Sequence, residues 1–310
     1  MKQLTLKSAV IAALGLVSAQ ALATGLEPIP ATGFPISGTV TTAYRLCNTT
    51  GNFGSSIPTS PTAGANNDCA VFPANEVTTP VAGFTLVTSA VRGVTINNTY
   101  TSFTNKNVGN VTEYVWRNAA NTECIYGAKF TAINTDYNPV DAGNQYFEVN
   151  DLARTGFGSS GTVNAGYYKQ AANASPVYRI GRTFTSVQHR AYKYDNATNK
   201  ALPGTNYVSL PGLGSAVAIN GENTPINATT IASTIAANQT ADVDASWIDF
   251  TMDVGYVDDD GGTNAASSMT YVQAGCSASA PVATAGNIRL RQTAQEFANF
   301  IEASVSGFAP

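Results

Sequence analysis

Short runs of Val, Ile, Thr, Tyr and Phe recur from residue 38 to residue 292, cut every few residues by Asn, Gly, Asp or Pro. β-branched and aromatic side chains suit a pleated, half-buried surface, and the intervening residues make turns. Strands are therefore expected at 38–46, 83–97, 110–117, 123–133, 144–150, 161–169, 176–194, 206–210, 247–257, 269–275 and 286–292. The most apolar run, "AGFTLVTSAVRGVTI", is expected at the centre of a sheet. Helix is suggested only at 229–238 and at 293–304, and the second stretch fits a strand period equally well. Many short strands at close spacing predict a mainly β fold, an irregular β-sandwich-like single domain with long loops and little helix. A membrane barrel would need sustained alternation with lipid-facing bands, and the irregular loops argue against it. No internal repeat suggests a solenoid or propeller.

The first residues indicate the compartment. Lys2 and Lys7 precede the apolar run "SAVIAALGLVSA", and Ala21-Leu22-Ala23 has the small residues of a signal-peptidase site. Residues 1–23 are expected to be a cleaved signal peptide, with residues 24–310 forming one secreted β-rich domain. Four cysteines then read as two disulfides. Three pairings are possible. Cys47–Cys69 closes a local loop rich in Asn, Gly, Ser and Pro, which leaves Cys124–Cys276 to join distant strands.

Only 12% of residues are charged, and the net charge is −4. Loss of Lys2 and Lys7 with the signal makes the rest more acidic. Nucleic acid requires a basic footprint, so it is not an expected partner. The scarce charges stand inside strand-like runs: Arg117, Glu148, Asp151, Arg154, Arg179, Arg182 and Arg190. Arg–carboxylate pairs there would fix strand register, with an acid/base pair as the alternative.

Three groups of residues suggest ligands. In "YVDDDGGTNAASS", Asp258, Asp260 and Asn264 could direct oxygens at Ca²⁺, although Asp and Gly also make solvated turns. His189 is the single histidine, and imidazole suits copper. The thioethers of Met252 and Met269 suit Cu(I) and are alternative donors. Trp116 and Trp247, the two tryptophans, both lie in strand-like runs. No nucleophile motif of the G-x-S-x-G kind accompanies the histidine, so no enzyme is expected.

The stretches "VWRNAANTECIYG", "NQYFEVNDLARTGF", "YRIGRTFTSVQHRAY" and "SWIDFTMDVGYVDDDG" resemble those of copper-repressible, copper-binding surface proteins of methane-oxidising bacteria, the MopE and CorA type. The resemblance spans roughly residues 110–276. It implies a secreted or outer-membrane-associated β-protein made when copper is scarce. In that family two histidine nitrogens and a kynurenine, made by oxidising a tryptophan, hold Cu(I), and a calcium ion is structural. Carried onto this chain, Trp116 stands for the oxidised tryptophan and His189 for one histidine. The second histidine has no counterpart, and Asn118 stands where a W-x-H arrangement would place it. Asp258 and Asp260 match the calcium expectation. The implied partners are a metal ion and the outer membrane or its surface proteins. The alternative is a structural or adhesive cell-surface protein with a structural calcium ion and no copper.

Overall fold

The computed structural model describes residues 25–37, 40–47, 62, 69–169, 174–184, 194–195, 200–201, 243–257, 263–292 and 301–310. The expected signal 1–23, the helix at 229–238, the strand at 206–210, and His189, Arg190, Asp258 and Asp260 lie outside these residues.

Among the described residues the secondary structure is entirely β. The strands are β1 (Glu27–Ile29), β2 (Phe34–Ser37), β3 (Val40–Thr42), β4 (Tyr44–Leu46), β5 (Phe84–Ile96), β6 (Lys106–Asn118), β7 (Glu123–Ala132), β8 (Val149–Thr155) and β9 (Val163–Tyr168). They continue as β10 (Ala174–Ser175), β11 (Arg179–Gly181), β12 (Tyr194–Asp195), β13 (Lys200–Ala201), β14 (Trp247–Val254), β15 (Ala266–Ser267), β16 (Met269–Gly275), β17 (Ala283–Gln292) and β18 (Ile301–Phe308). One sheet has eight strands: β5, β6 and β7 form a meander, and β16, β9 and β1 extend it beyond β7. A second has six, in the order β18-β17-β8-β14-β11-β4, and among the described residues β2–β3 and β12–β13 form two further two-stranded sheets.

The eight- and six-stranded sheets enclose one apolar layer. From the larger sheet come Val111, Val115, Tyr126, Phe130 and Val272; from the smaller come Leu152, Ile180, Phe250, Ile288 and Leu290. All are essentially buried. Fully burying one such side chain favours the fold by about 1.5–3 kcal/mol. Period-two alternation does the sorting: on β14, Ile248, Phe250, Met252 and Val254 face the layer. The mainly β, sandwich-like architecture is the one expected.

One expectation needs correction, and one alternative is resolved. The apolar run at 83–97 is not central: among the described residues β5 pairs only with β6 and forms a sheet edge, with Leu86, Val87 and Val91 exposed. Its apolarity serves its inward face, where Val94 and Ile96 are buried, and does not report pairing on both sides. In the stretch 293–304, where helix and strand periods fitted equally well, residues 301–304 take the strand alternative as part of β18. Ile301, Ala303 and Val305 turn inward while Glu302 and Ser304 turn outward, a strand period.

Two disulfides staple the sandwich. Cys47–Cys69 joins Cα atoms 5.2 Å apart, and Cys124–Cys276 joins Cα atoms 5.7 Å apart. The second ties the start of β7 to the residue after the end of β16.

Candidate functional site

The alternation that sends Val111, Glu113 and Val115 of β6 inward sends Tyr114 and Trp116 to the far face of the larger sheet. A second apolar cluster forms there from Val71, Trp116, Ile125, Met269 and Tyr271. The segment 70–81 crosses this face and closes it. Its Val77 carbonyl accepts a hydrogen bond from Trp116 Nε1 at 3.0 Å, and its Glu76 pairs with Lys129 at 2.6 Å. Tyr114 and Tyr271 flank the indole with ring centroids 5.5 and 5.8 Å away.

Gly127 makes room for this nest. A Cβ at that position would lie 2.8 Å from Trp116 Cζ3 and 3.3 Å from Met269 Sδ. Gly127→Ala should therefore displace the indole and cost about 1–3 kcal/mol, as overpacking does. Urea unfolding followed by tryptophan fluorescence measures both effects. An unchanged midpoint and emission maximum would show that the nest can give way.

Of the proposed copper ligands, the structure brings together Trp116 and Met269. Met252 lies in the inter-sheet layer on β14, so the larger sheet separates it from the indole. Both methionines are fully buried. His189 is outside the described residues. So are Asp258 and Asp260, leaving only half-buried Asn264 of the calcium set to be placed, two residues before β15. Among the described residues no group of three or more His, Cys, Asp or Glu gathers as a metal centre would.

The charged groups form two buried clusters, which the sequence reading only half anticipated. In the first, Glu113 accepts from Arg154 of the opposite sheet at 3.2 Å, from Arg92, and from the Phe308 N–H at 3.1 Å. Arg154 also donates to the carbonyls of Tyr126 and Phe308. Burial raises Glu113 above the usual carboxylate range, against the pull of both arginines. Glu113 was missed, yet it shares the inward phase of Val111 and Val115, and a carboxylate in that phase signals an interior partner.

The second cluster lies on the face of the smaller sheet turned away from the layer. Asp249 accepts from Arg291 at 3.1 Å and from the Tyr44 hydroxyl at 3.3 Å, and it hydrogen-bonds to Asp151. Burial, and then the Asp151 charge, push Asp249 well above the ordinary carboxylate range. The folded protein thus keeps a proton that the unfolded chain releases above about pH 4. This stabilises the fold at acid pH, and the contribution is lost as pH rises through the folded value. Within that window the slope is about 1.4 kcal/mol per pH unit for one proton. Asp249→Asn should flatten the decline in unfolding free energy between pH 4 and neutrality, measured by urea titration. Parallel wild-type and variant profiles would exclude this proton from the pair.

Comparison with protein families, curated proteins and solved structures finds no match. Assignment of a role thus rests on the chemistry of the nest, the clusters and the surface.

Proposed function

We propose that the chain is an exported, cell-surface binding protein that holds copper at the Trp116 nest. The observation that carries this reading is that Trp116 and Met269 both abut Gly127 beneath one covering segment. A thioether is a soft donor suited to Cu(I), and oxidation of the indole by O2 to N-formylkynurenine, then hydrolysis that releases formate, would add the aromatic amine of kynurenine beside it. His189 supplies the imidazole in this reading. The reading also takes in the resemblance to the copper-repressible surface proteins, the paired disulfides and the charge-poor composition, which suit an oxidising exterior.

The unmodified chain should bind Cu(I) weakly, because one imidazole and one thioether leave the coordination sphere underfilled. Protein purified from its own host should carry copper and an oxidised Trp116, found by metal analysis and peptide mass together. Competition with a Cu(I) chelator should then show tight binding that His189→Ala and Met269→Leu each weaken. Copper-free host protein with an intact tryptophan would overturn the proposal.

A second reading has its own observation. Trp116 is enclosed and its Nε1 satisfied by a backbone carbonyl, as in an ordinary core. On this reading the protein is a structural or adhesive surface protein, with calcium held by Asp258, Asp260 and Asn264. EDTA should then lower the melting temperature and Ca²⁺ restore it by mass action. No response to either would leave the acidic stretch a solvated turn.

A further inference from the structure

Beside the Cys124–Cys276 bridge is a cleft of about 260 Å³, open to solvent. Arg117 and Tyr126 reach it from β6 and β7, and Pro281 and Val282 form an apolar wall. Among the described residues that line it, Arg117 carries the one charged side chain. It is only 9% exposed, and its Nη1 donates to the Ala278 carbonyl at 3.0 Å and its Nη2 to the Ser279 carbonyl. Among the described residues its Nε has no partner. Arg92, Arg154, Arg289 and Arg291 each face a carboxylate, whereas among the described residues Arg117 faces two neutral carbonyls. A guanidinium has five donors, and a buried cation without a counter-charge is costly. The cleft therefore favours an anion.

The second group is the Tyr126 hydroxyl. It has no hydrogen-bond partner among the described residues, although the ring itself is packed against Phe157. Burial raises this phenol to about 12, so it keeps its proton at neutral pH and remains a donor.

We infer that the cleft binds a small organic monocarboxylate, its charge met by Arg117 and the Tyr126 hydroxyl and its apolar body by Pro281 and Val282. One cation matches one negative charge, and charge-assisted hydrogen bonds to a carboxylate are about twice as strong as neutral ones. The volume falls just below the roughly 300–1,000 Å³ of sites for drug-sized ligands, which sets the size class. This site lies on the inward phase of β6, whereas Trp116 faces the other way, so the inference is independent of copper.

The test is calorimetric titration of the oxidised full chain with sodium benzoate, against benzamide as a neutral isostere, with chloride matching the ionic strength. Benzoate should saturate, and benzamide should bind at least about tenfold more weakly. Tyr126→Phe should weaken benzoate severalfold without lowering the melting temperature, since its hydroxyl makes no hydrogen bond among the described residues. Arg117→Met should abolish binding. Should loss of the Arg117 clasp on Ala278 and Ser279 unfold that variant, Tyr126→Phe and the benzoate-to-benzamide ratio decide alone. Equal binding of benzoate and benzamide, absence of saturation, or an unaltered Tyr126→Phe variant would each overturn the inference.

Discussion

Replacing Cys124 and Cys276 together by serine should lower the unfolding free energy by about 5 kcal/mol, whereas replacing Cys47 and Cys69 should cost about 3 kcal/mol. The difference follows from the chain each bridge closes. Cys124 and Cys276 are 152 residues apart, and Cys47 and Cys69 are 22 apart. A longer closed loop removes more conformational freedom from the unfolded chain, so its loss is felt more. Urea unfolding of the two double variants, with m-values compared, gives the answer. Equal costs would mean that the unfolded chain already holds residues 124 and 276 close together.

Glu113→Ala should be the most damaging single substitution of a charged residue, at about 3–5 kcal/mol. It removes the carboxylate that answers Arg154 inside the layer and leaves that guanidinium buried without its counter-charge. It also leaves the Phe308 N–H unpaired and deprives Arg92 of its partner. Glu113→Gln should cost less, since an amide oxygen can still accept from Phe308 and Arg154. Half-buried pairs such as Arg289–Glu302, 31% and 21% exposed, supply the contrast, because solvent still reaches and screens them and their loss should cost about 0–1 kcal/mol. Chemical denaturation of the three variants ranks them. A Glu113→Ala protein as stable as Glu302→Ala would mean that water reaches the cluster.

Much of the architecture was legible because runs of β-branched and aromatic residues, cut by turn-forming Asn, Gly, Asp and Pro, are a local signal. It placed the long strands at 83–97, 110–117, 123–133, 247–257 and 269–275 within a few residues of β5, β6, β7, β14 and β16. The short strands β1, β2, β10 and β15 were not seen, since two to four residues carry no period and owe their pairing to neighbours distant in sequence. The edge position of β5 was misread for the same reason. Composition reports what a face touches, whereas pairing partners depend on the whole topology. At the candidate site, the sequence singled out Trp116 and Met269, and the fold seats them together. Glu113, Asp249 and Arg291 were overlooked, because a charge inside an apolar strand reads as ordinary until its partner across the sandwich is known. Met252 shows the converse, for residue type alone could not say on which side of a sheet its thioether would fall.

The pairing of β1 with β9 sets Glu27 opposite Ala165, and β4 with β11 sets Arg45 opposite Ile180. A ribosome delivers the earlier strand of each pair first, at about 5–20 residues per second. The opening strands must therefore wait unpaired for several seconds while their partners are still being made. The β5–β6–β7 meander can close at once through its own turns, since its contacts are local. β18, the last strand among the described residues, then brings the Phe308 N–H to Glu113 and the Phe308 carbonyl to Arg154. A nascent chain halted before residue 308 would hold an ion cluster open to water and a sandwich without its final seal. Closure of the Glu113–Arg154 cluster therefore requires a chain delivered through residue 308, long after the meander that carries Glu113.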